Sequence, residues 1–209
     1  MTRRQRQSFR EFWPVYGIPF EHGRVIDLPS KLPDVGFQSG MLEIGFGRGE
    51  HLLNWAKQHP THPVLGIEVH KPGLAHVLAE IDRMQMTNLR LMRGDARLIL
   101  SDHLPPTALF SDVFLLFPDP WPRKSDSHRR LIQEGFLHCL EPRLTPGALF
   151  HLASDVAAYA EHVRAIFARS SKWIEVSRPF EPRVVVSNYE RKALHAGRTI
   201  WDQRYQFQN

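Results

Sequence analysis

From Met41 onward, short apolar runs alternate with amphipathic segments, and each of the first four runs leads into an acid. That alternation dictates a parallel sheet wrapped in helices, because successive parallel strands must be joined by a crossover long enough to hold a helix. Strands are expected at 41–45, 64–69, 88–93, 110–117, 147–153, 173–178 and 199–207. Helices are expected at 72–84, 128–140 and 156–168. The first of these has Pro72 in its first turn and an apolar stripe of Leu74, Val77, Leu78 and Ile81. The last strand follows a loop instead of a helix, so it is expected to run antiparallel. The fold class is therefore α/β, with a mostly parallel seven-stranded sheet, helices on both faces and an antiparallel last strand.

In such sheets ligands bind outside the carboxyl ends of the strands, so polar residues just after apolar runs are candidates for chemistry. Glu43, Glu68, Asp95 and Asp119 occupy those positions, 25, 27 and 24 residues apart, about one strand-helix unit each time. Each alone could be a helix cap. Four in phase point to a site. Gly45, Gly47 and Gly49 let the chain turn sharply and let a nucleoside approach the backbone. Glu68 follows Gly49 by 19 residues, where a carboxylate can accept from both ribose hydroxyls. A nicotinamide dinucleotide site would set its pyrophosphate on a G-x-G-x-x-G turn, whereas this loop reads G-x-G-x-G with Glu43 beside it. A carboxylate there repels a pyrophosphate and attracts the cationic methionine end of S-adenosyl-L-methionine. Asp95 is placed to accept from the adenine amino group.

The first 35 residues read as an irregular, basic arm (Arg3, Arg4, Arg6, Arg10, then turn residues including Pro29, Pro33 and Gly36) laid against a single domain of 36–209. Net charge is +5, and six lysines among 27 cationic residues leave 21 arginines. That suits a polyanionic partner, although codon bias gives the same excess. The single cysteine, Cys139, lies in an apolar helical pattern and reads as a reduced core thiol. No membrane-spanning run or signal segment is evident, so a cytoplasmic location is expected. The twelve histidines show no metal-ligand spacing, and no metal is expected.

Three prolines in the run Phe117-Pro118-Asp119-Pro120-Trp121-Pro122 stiffen the backbone and hold Asp119 and Trp121 at a strand end. A rigid connecting turn is one reading. A clamp for a flat base, with Trp121 stacking and Asp119 orienting, is the other. This run, together with Glu43-Ile44-Gly45-Phe46-Gly47-Arg48-Gly49, Gly66-Ile67-Glu68-Val69-His70, Asn188-Tyr189-Glu190, Gly197 and Ile200-Trp201-Asp202, resembles the bacterial tRNA (guanine-N(7)-)-methyltransferase family over nearly the whole chain. Thr2-Arg3-Arg4-Gln5 and Trp13-Pro14-Val15 are similar to its N-terminal arm.

The resemblance implies a Rossmann-like class I methyltransferase domain that moves a methyl group from S-adenosyl-L-methionine to N(7) of a variable-loop guanosine in tRNA. It implies that Asp119 is catalytic and that Glu43, Gly45, Gly47, Gly49, Glu68, Asp95 and Asp119 surround the cofactor. Arg123, Asp155, Ser187, Asn188, Tyr189 and Glu190 would contact the substrate guanosine, and Lys124, Arg129 and Arg130 the RNA. The expected partner is tRNA, bound by a monomer or homodimer. For Asp155 a second reading stands beside this one, because Ser154-Asp155 opens a helical stripe and could cap it. The chain departs from the family at Ser125, where an Arg is usual, at Asp126, where a His is usual, and at Ser187, which replaces a Thr. A diverged methyltransferase acting on another RNA or a small molecule is the alternative.

Overall fold

The computed structural model describes residues 1–21, 23–32, 34–35, 38–176 and 187–208. Among the described residues seven strands form one sheet: β1 (Gly40–Ile44), β2 (Val64–Glu68), β3 (Leu89–Arg93), β4 (Phe110–Leu116), β5 (Leu144–Ser154), β6 (Trp173–Glu175) and β7 (Trp201–Phe207). Their spatial order is β3-β2-β1-β4-β5-β7-β6. β1 to β5 pair in parallel, and β7 runs antiparallel to both β5 and β6. The chain winds from β1 outward to β3 and then crosses to β4 on the other side of β1. The crevice between β1 and β4 is thus the switch point of the sheet.

All five residues of β1 and of β2 are buried, as expected of strands covered on both faces. β7 instead buries alternate residues, Gln203, Tyr205 and Phe207, the period-2 pattern of a strand with one face on the core. Tyr205 stacks on Phe167 at 3.9 Å between ring centroids, and Trp173 meets the edge of the same ring. The helices are α1 (Arg3–Tyr16), α2 (Glu50–Gln58), α3 (Lys71–Arg83), the short α4 (Ala96–Leu98), α5 (Glu134–Leu140), α6 (Ala157–Phe167) and α7 (Asn188–His195).

The main departure from expectation is α1, which makes the start of the chain a helix and not an irregular arm. Thr2 and Gln5 form a reciprocal capping box, and Phe9, Phe12, Trp13 and Tyr16 recur at helical spacing. That aromatic stripe packs on α3, where Tyr16 donates to Asp82 at 3.0 Å and Lys71 lies over the Phe9 ring. Pro14 is accommodated near the helix end. Beyond α1 the chain is irregular and laid along the domain. Ile18 bonds to the Leu91 carbonyl beside β3, and Ile18, Ile26, Leu28, Leu32 and Val35 join the same core as the sheet. Pro33 and Gly36 lie outside the described residues.

Smaller departures have local causes. The segment expected as a helix from 128 starts only at Glu134, because Lys124–Arg129 coil into 3₁₀ turns and Arg130 is extended. β5 begins three residues early, with a register shift opposite β4 that absorbs Pro146 and Gly147. Of the strand expected at 173–178, residues 177 and 178 lie outside the described residues. Cys139 is a free thiol packed at the edge of the core. Among the described residues no helix is long and apolar enough to cross a membrane.

Candidate active site

The loop leaving β1 places Gly45, Gly47 and Gly49 at φ of 71, 57 and 73°, left-handed values that a side chain would strain. Packing fixes the loop from below: a Cβ on Gly73 of α3 would sit 2.2 Å from the Gly47 carbonyl oxygen, so only glycine lets helix and loop touch. Above Gly45 there is open space, since a Cβ built there meets nothing within 4 Å. That opening belongs to a cavity of about 670 Å³, a size suited to a nucleoside ligand. It is lined by Glu43, Gly45 and Gly47 from β1 and its loop, by Ser187, Asn188 and Tyr189 at the start of α7, and by Thr2 and Arg4 at the start of α1.

Glu43 is buried, and its Oε2 lies 2.7 Å from Nδ1 of His51. The His51 ring rests on Phe114 at 4.5 Å, and Phe114 stacks in turn on His151 at 4.2 Å. Burial pushes the His151 imidazole below its ordinary pKa, against the opposing pull of Asp112. Glu68 is equally buried but is occupied by backbone. Its Oε2 accepts from Gly47 N at 2.8 Å, and its Oε1 accepts from Val69 N and His70 N at 2.7 and 2.8 Å. The carboxylate therefore ties the glycine loop to the turn that opens α3.

The other acids are arranged differently. Asp95 caps α4, accepting from Arg97 N at 2.8 Å and pairing with the Arg97 guanidinium at 3.2 Å. Partial burial raises its pKa, but the Arg97 hydrogen bonds outweigh this and hold the carboxyl below the usual range. Asp155 does not cap α6. It pairs with Arg198 at 2.7 Å, while Ser154 accepts from Val156 N. Glu68, Asp95 and Asp119 are not part of the cavity lining, so the four acids share the sheet edge but not one cavity.

Asp119 is exposed in a turn flanked by two strained residues, Phe117 at φ 52° and Trp121 at φ 42°. A non-glycine residue in that region costs of order 1–3 kcal/mol and persists only where its surroundings hold it. Phe117 N bonds to the Ala153 carbonyl at 2.8 Å, fastening the turn to β5. The Arg129 guanidinium lies 3.4 Å from the centre of the Trp121 ring. Arg130, expected to face RNA, turns inward: it is 7% exposed and donates to the carbonyls of Pro120 and Trp121 at 3.0 and 3.2 Å. The reason is the extended backbone at Arg130, which sends neighbouring side chains to opposite sides. Arg123 and Lys124 are exposed.

Ser187 caps α7, its hydroxyl accepting from Glu190 N at 3.2 Å; Tyr189 is exposed and Glu190 buried. Among the described residues no group of three or more His, Cys, Asp or Glu is arranged to hold a metal ion. Sequence reasoning missed His51, Arg198 and the α1 residues on the cavity wall. His51 had a usable signal, since it falls eight residues after Glu43, where the first turn of α2 comes back over the strand end. Arg198 had none, because 43 residues separate it from Asp155.

A family model described as "Putative methyltransferase" matches residues 38–203. The tRNA (guanine-N(7)-)-methyltransferase of Alkalilimnicola ehrlichii is 36% identical over 98% of this chain and 87% of its own length. That of Escherichia coli is 34% identical over 97% of this chain and 85% of its own. Among solved structures, the 16S rRNA methyltransferase KamB is similar with a TM-score of 0.65 at 18% identity, over 88% of this chain and 95% of that one. A 16S rRNA (adenine(1408)-N(1))-methyltransferase from Catenulisporales acidiphilia, solved with its cosubstrate SAM, gives 0.60 at 14%, over 88% and 91%. With the family model matched over most of the chain and relatives 34–36% identical along nearly its whole length, the chain belongs to the tRNA (guanine-N(7)-)-methyltransferase family.

Proposed function

We propose that this protein methylates N(7) of a variable-loop guanosine in tRNA, with Asp119 as the residue that acts on the guanine. The observation that carries the reading is the strained turn at the switch-point edge, which presents an exposed carboxylate beside an indole on a backbone that cannot relax. S-Adenosyl-L-methionine, when bound, supplies a methyl group activated by its sulfonium. The residues present suit such a group. Open space above Gly45 admits a nucleoside, Glu43 offers a buried carboxylate to the ammonium end, and Glu68 and Asp95 stand at the next two strand ends for ribose and adenine.

Guanine N(7) carries a lone pair and loses no proton on attack, so the protein's task is positioning more than base catalysis. Asp119 would orient the guanine and offset the positive charge that grows on its imidazole ring. Ser187, Asn188, Tyr189 and Glu190 would approach the base from α7, with Glu190 or Asp155 accepting from N(1)–H and the amino group, donors that adenine does not match. Arg123, Lys124 and Arg129 would meet phosphates beside the turn. Gly45 and Gly47 would floor the cofactor cradle, while Gly49, outside the cavity lining, packs on Val77 and shapes the turn.

The test is incubation of an unmodified tRNA bearing a variable-loop guanosine with the protein and labelled S-adenosyl-L-methionine. We expect 7-methylguanosine, read as chain cleavage after reduction and aniline treatment. Asp119→Ala should lose most turnover while keeping cofactor affinity within a few-fold, as befits a side chain that acts on the transition state. An Asp119→Ala protein with full turnover would remove this residue from catalysis. A wild-type protein that labels no tRNA would move the substrate elsewhere.

A further inference from the structure

We infer that Arg130 is a positioning residue for Asp119: its buried guanidinium fork holds the 117–121 turn in its strained form before any substrate arrives. The inference rests on the role proposed above for Asp119. Phe117 and Trp121 both have left-handed backbones, and Pro118 and Pro120 between them cannot donate hydrogen bonds to satisfy the turn from within. Two successive carbonyls, those of Pro120 and Trp121, therefore look to an outside donor. Arg130 supplies it from beneath, Nε to one at 3.0 Å and Nη2 to the other at 3.2 Å. A planar fork with fixed spacing can bridge two adjacent carbonyls, which a lysine ammonium, a single rotating point, cannot do with the same rigidity.

Its setting fits that task. Arg130 is 7% exposed, its guanidinium carbon lies 5.7 Å from the centre of the fully buried Tyr159 ring, and its own N–H closes the 3₁₀ segment at Ser127. Arg129, one residue earlier, covers the outer face of the Trp121 ring at 3.4 Å. Adjacent arginines thus hold opposite sides of one residue, the backbone from inside and the indole from outside. Remove the inner tie, and the turn is free to relax toward extended backbone, carrying the Asp119 carboxylate away from its place at the strand end.

The experiment compares Arg130→Lys with wild type in cooperative unfolding, calorimetric cofactor binding and steady-state tRNA methylation, alone and combined with Asp119→Ala. We expect a folded variant with unchanged cofactor affinity and tRNA KM within a few-fold. Its kcat should fall roughly 10- to 100-fold, the cost of a small misplacement of a catalytic group. In the Asp119→Ala background the Lys substitution should add less than about two-fold, since residues that act as one unit are not additive. A fluorine resonance at Trp121 in 5-fluorotryptophan-labelled protein should shift or broaden in Arg130→Lys. Where the Lys variant is unstable, Arg130→Gln carries the same comparison. A loss confined to tRNA KM, a full effect persisting without Asp119, or two variants that do not fold would each overturn the inference. Wild-type kcat in Arg130→Lys beside an inactive Asp119→Ala would sink the positioning role alone, whereas full turnover in Asp119→Ala would sink the reading beneath it.

Discussion

At the residue scale the four acids show how much one spacing rule can carry and where it stops. Their recurrence at strand ends was legible because strand-helix units have nearly constant length, and the structure puts each at the edge of the sheet. What each does there was harder to read, because it depends on partners that the folded loops set in place, even where these lie near in the chain. Glu43 meets His51, Asp95 pairs with Arg97, and Glu68 is held by three backbone N–H groups whose places are set only once the glycine loop has folded over it. Glu68 thus holds the shape of the loop, beside the ribose role proposed for it. Glu68→Gln keeps the volume but leaves one oxygen where two accept, so it should weaken both S-adenosyl-L-methionine and its demethylated product by about ten-fold or more, the worth of a hydrogen bond to a charged group. Calorimetry with each ligand reads this directly, and unchanged affinity for both would show that neither the loop nor the ribose depends on that carboxylate.

Elements divide along the same line. β7 is reversed as expected, although helix α7 and not a loop alone precedes it, and the strands and the helices α3 and α6 declared themselves through periodicity. α1 did not, because its arginines and Pro14 obscured a capping box and an aromatic stripe that are plain once the helical period is applied. Nor did the short 3₁₀ run Lys124–Arg129, where a helix is expected from 128 and Arg129 and Arg130 share the same expected RNA role, a pairing that the extended backbone at Arg130 separates. α1 is docked by its aromatic stripe and by the Tyr16 hydrogen bond to Asp82, a group that also keeps the phenol above its ordinary pKa, after burial as the larger cause. Tyr16→Phe removes the bond and little else, and should lower unfolding free energy by about 1 kcal/mol in urea melts while leaving cofactor binding intact. A larger loss would mean that α1 peels away as a unit when this one tie is cut.

For the whole molecule, a net charge of +5 sets a field that favours an RNA partner, but only exposed cations can exchange for its counterions. Arg129 is exposed and Arg130 is not, so the two make opposite predictions. Arg129→Ala should weaken tRNA binding and flatten the plot of log affinity against log salt by roughly 0.9 for each duplex phosphate that the arginine neutralises. Arg130→Lys should leave that slope where it was. Filter binding between low and moderate salt separates the two, and an unchanged slope for Arg129→Ala would confine that residue to the Trp121 ring. The place of β7 in the sheet has a different kind of consequence. It is the last strand in the chain, yet it lies between β5 and β6 instead of at an edge. During vectorial synthesis β5 therefore waits with one side of its ladder bare, and Trp173, Phe167 and Phe150 wait without Tyr205 and Phe207 against them, until β7 has emerged. A nascent chain of this protein closes its sheet only when β7 arrives, and any stop before Trp201 leaves an adhesive edge in place of an enzyme.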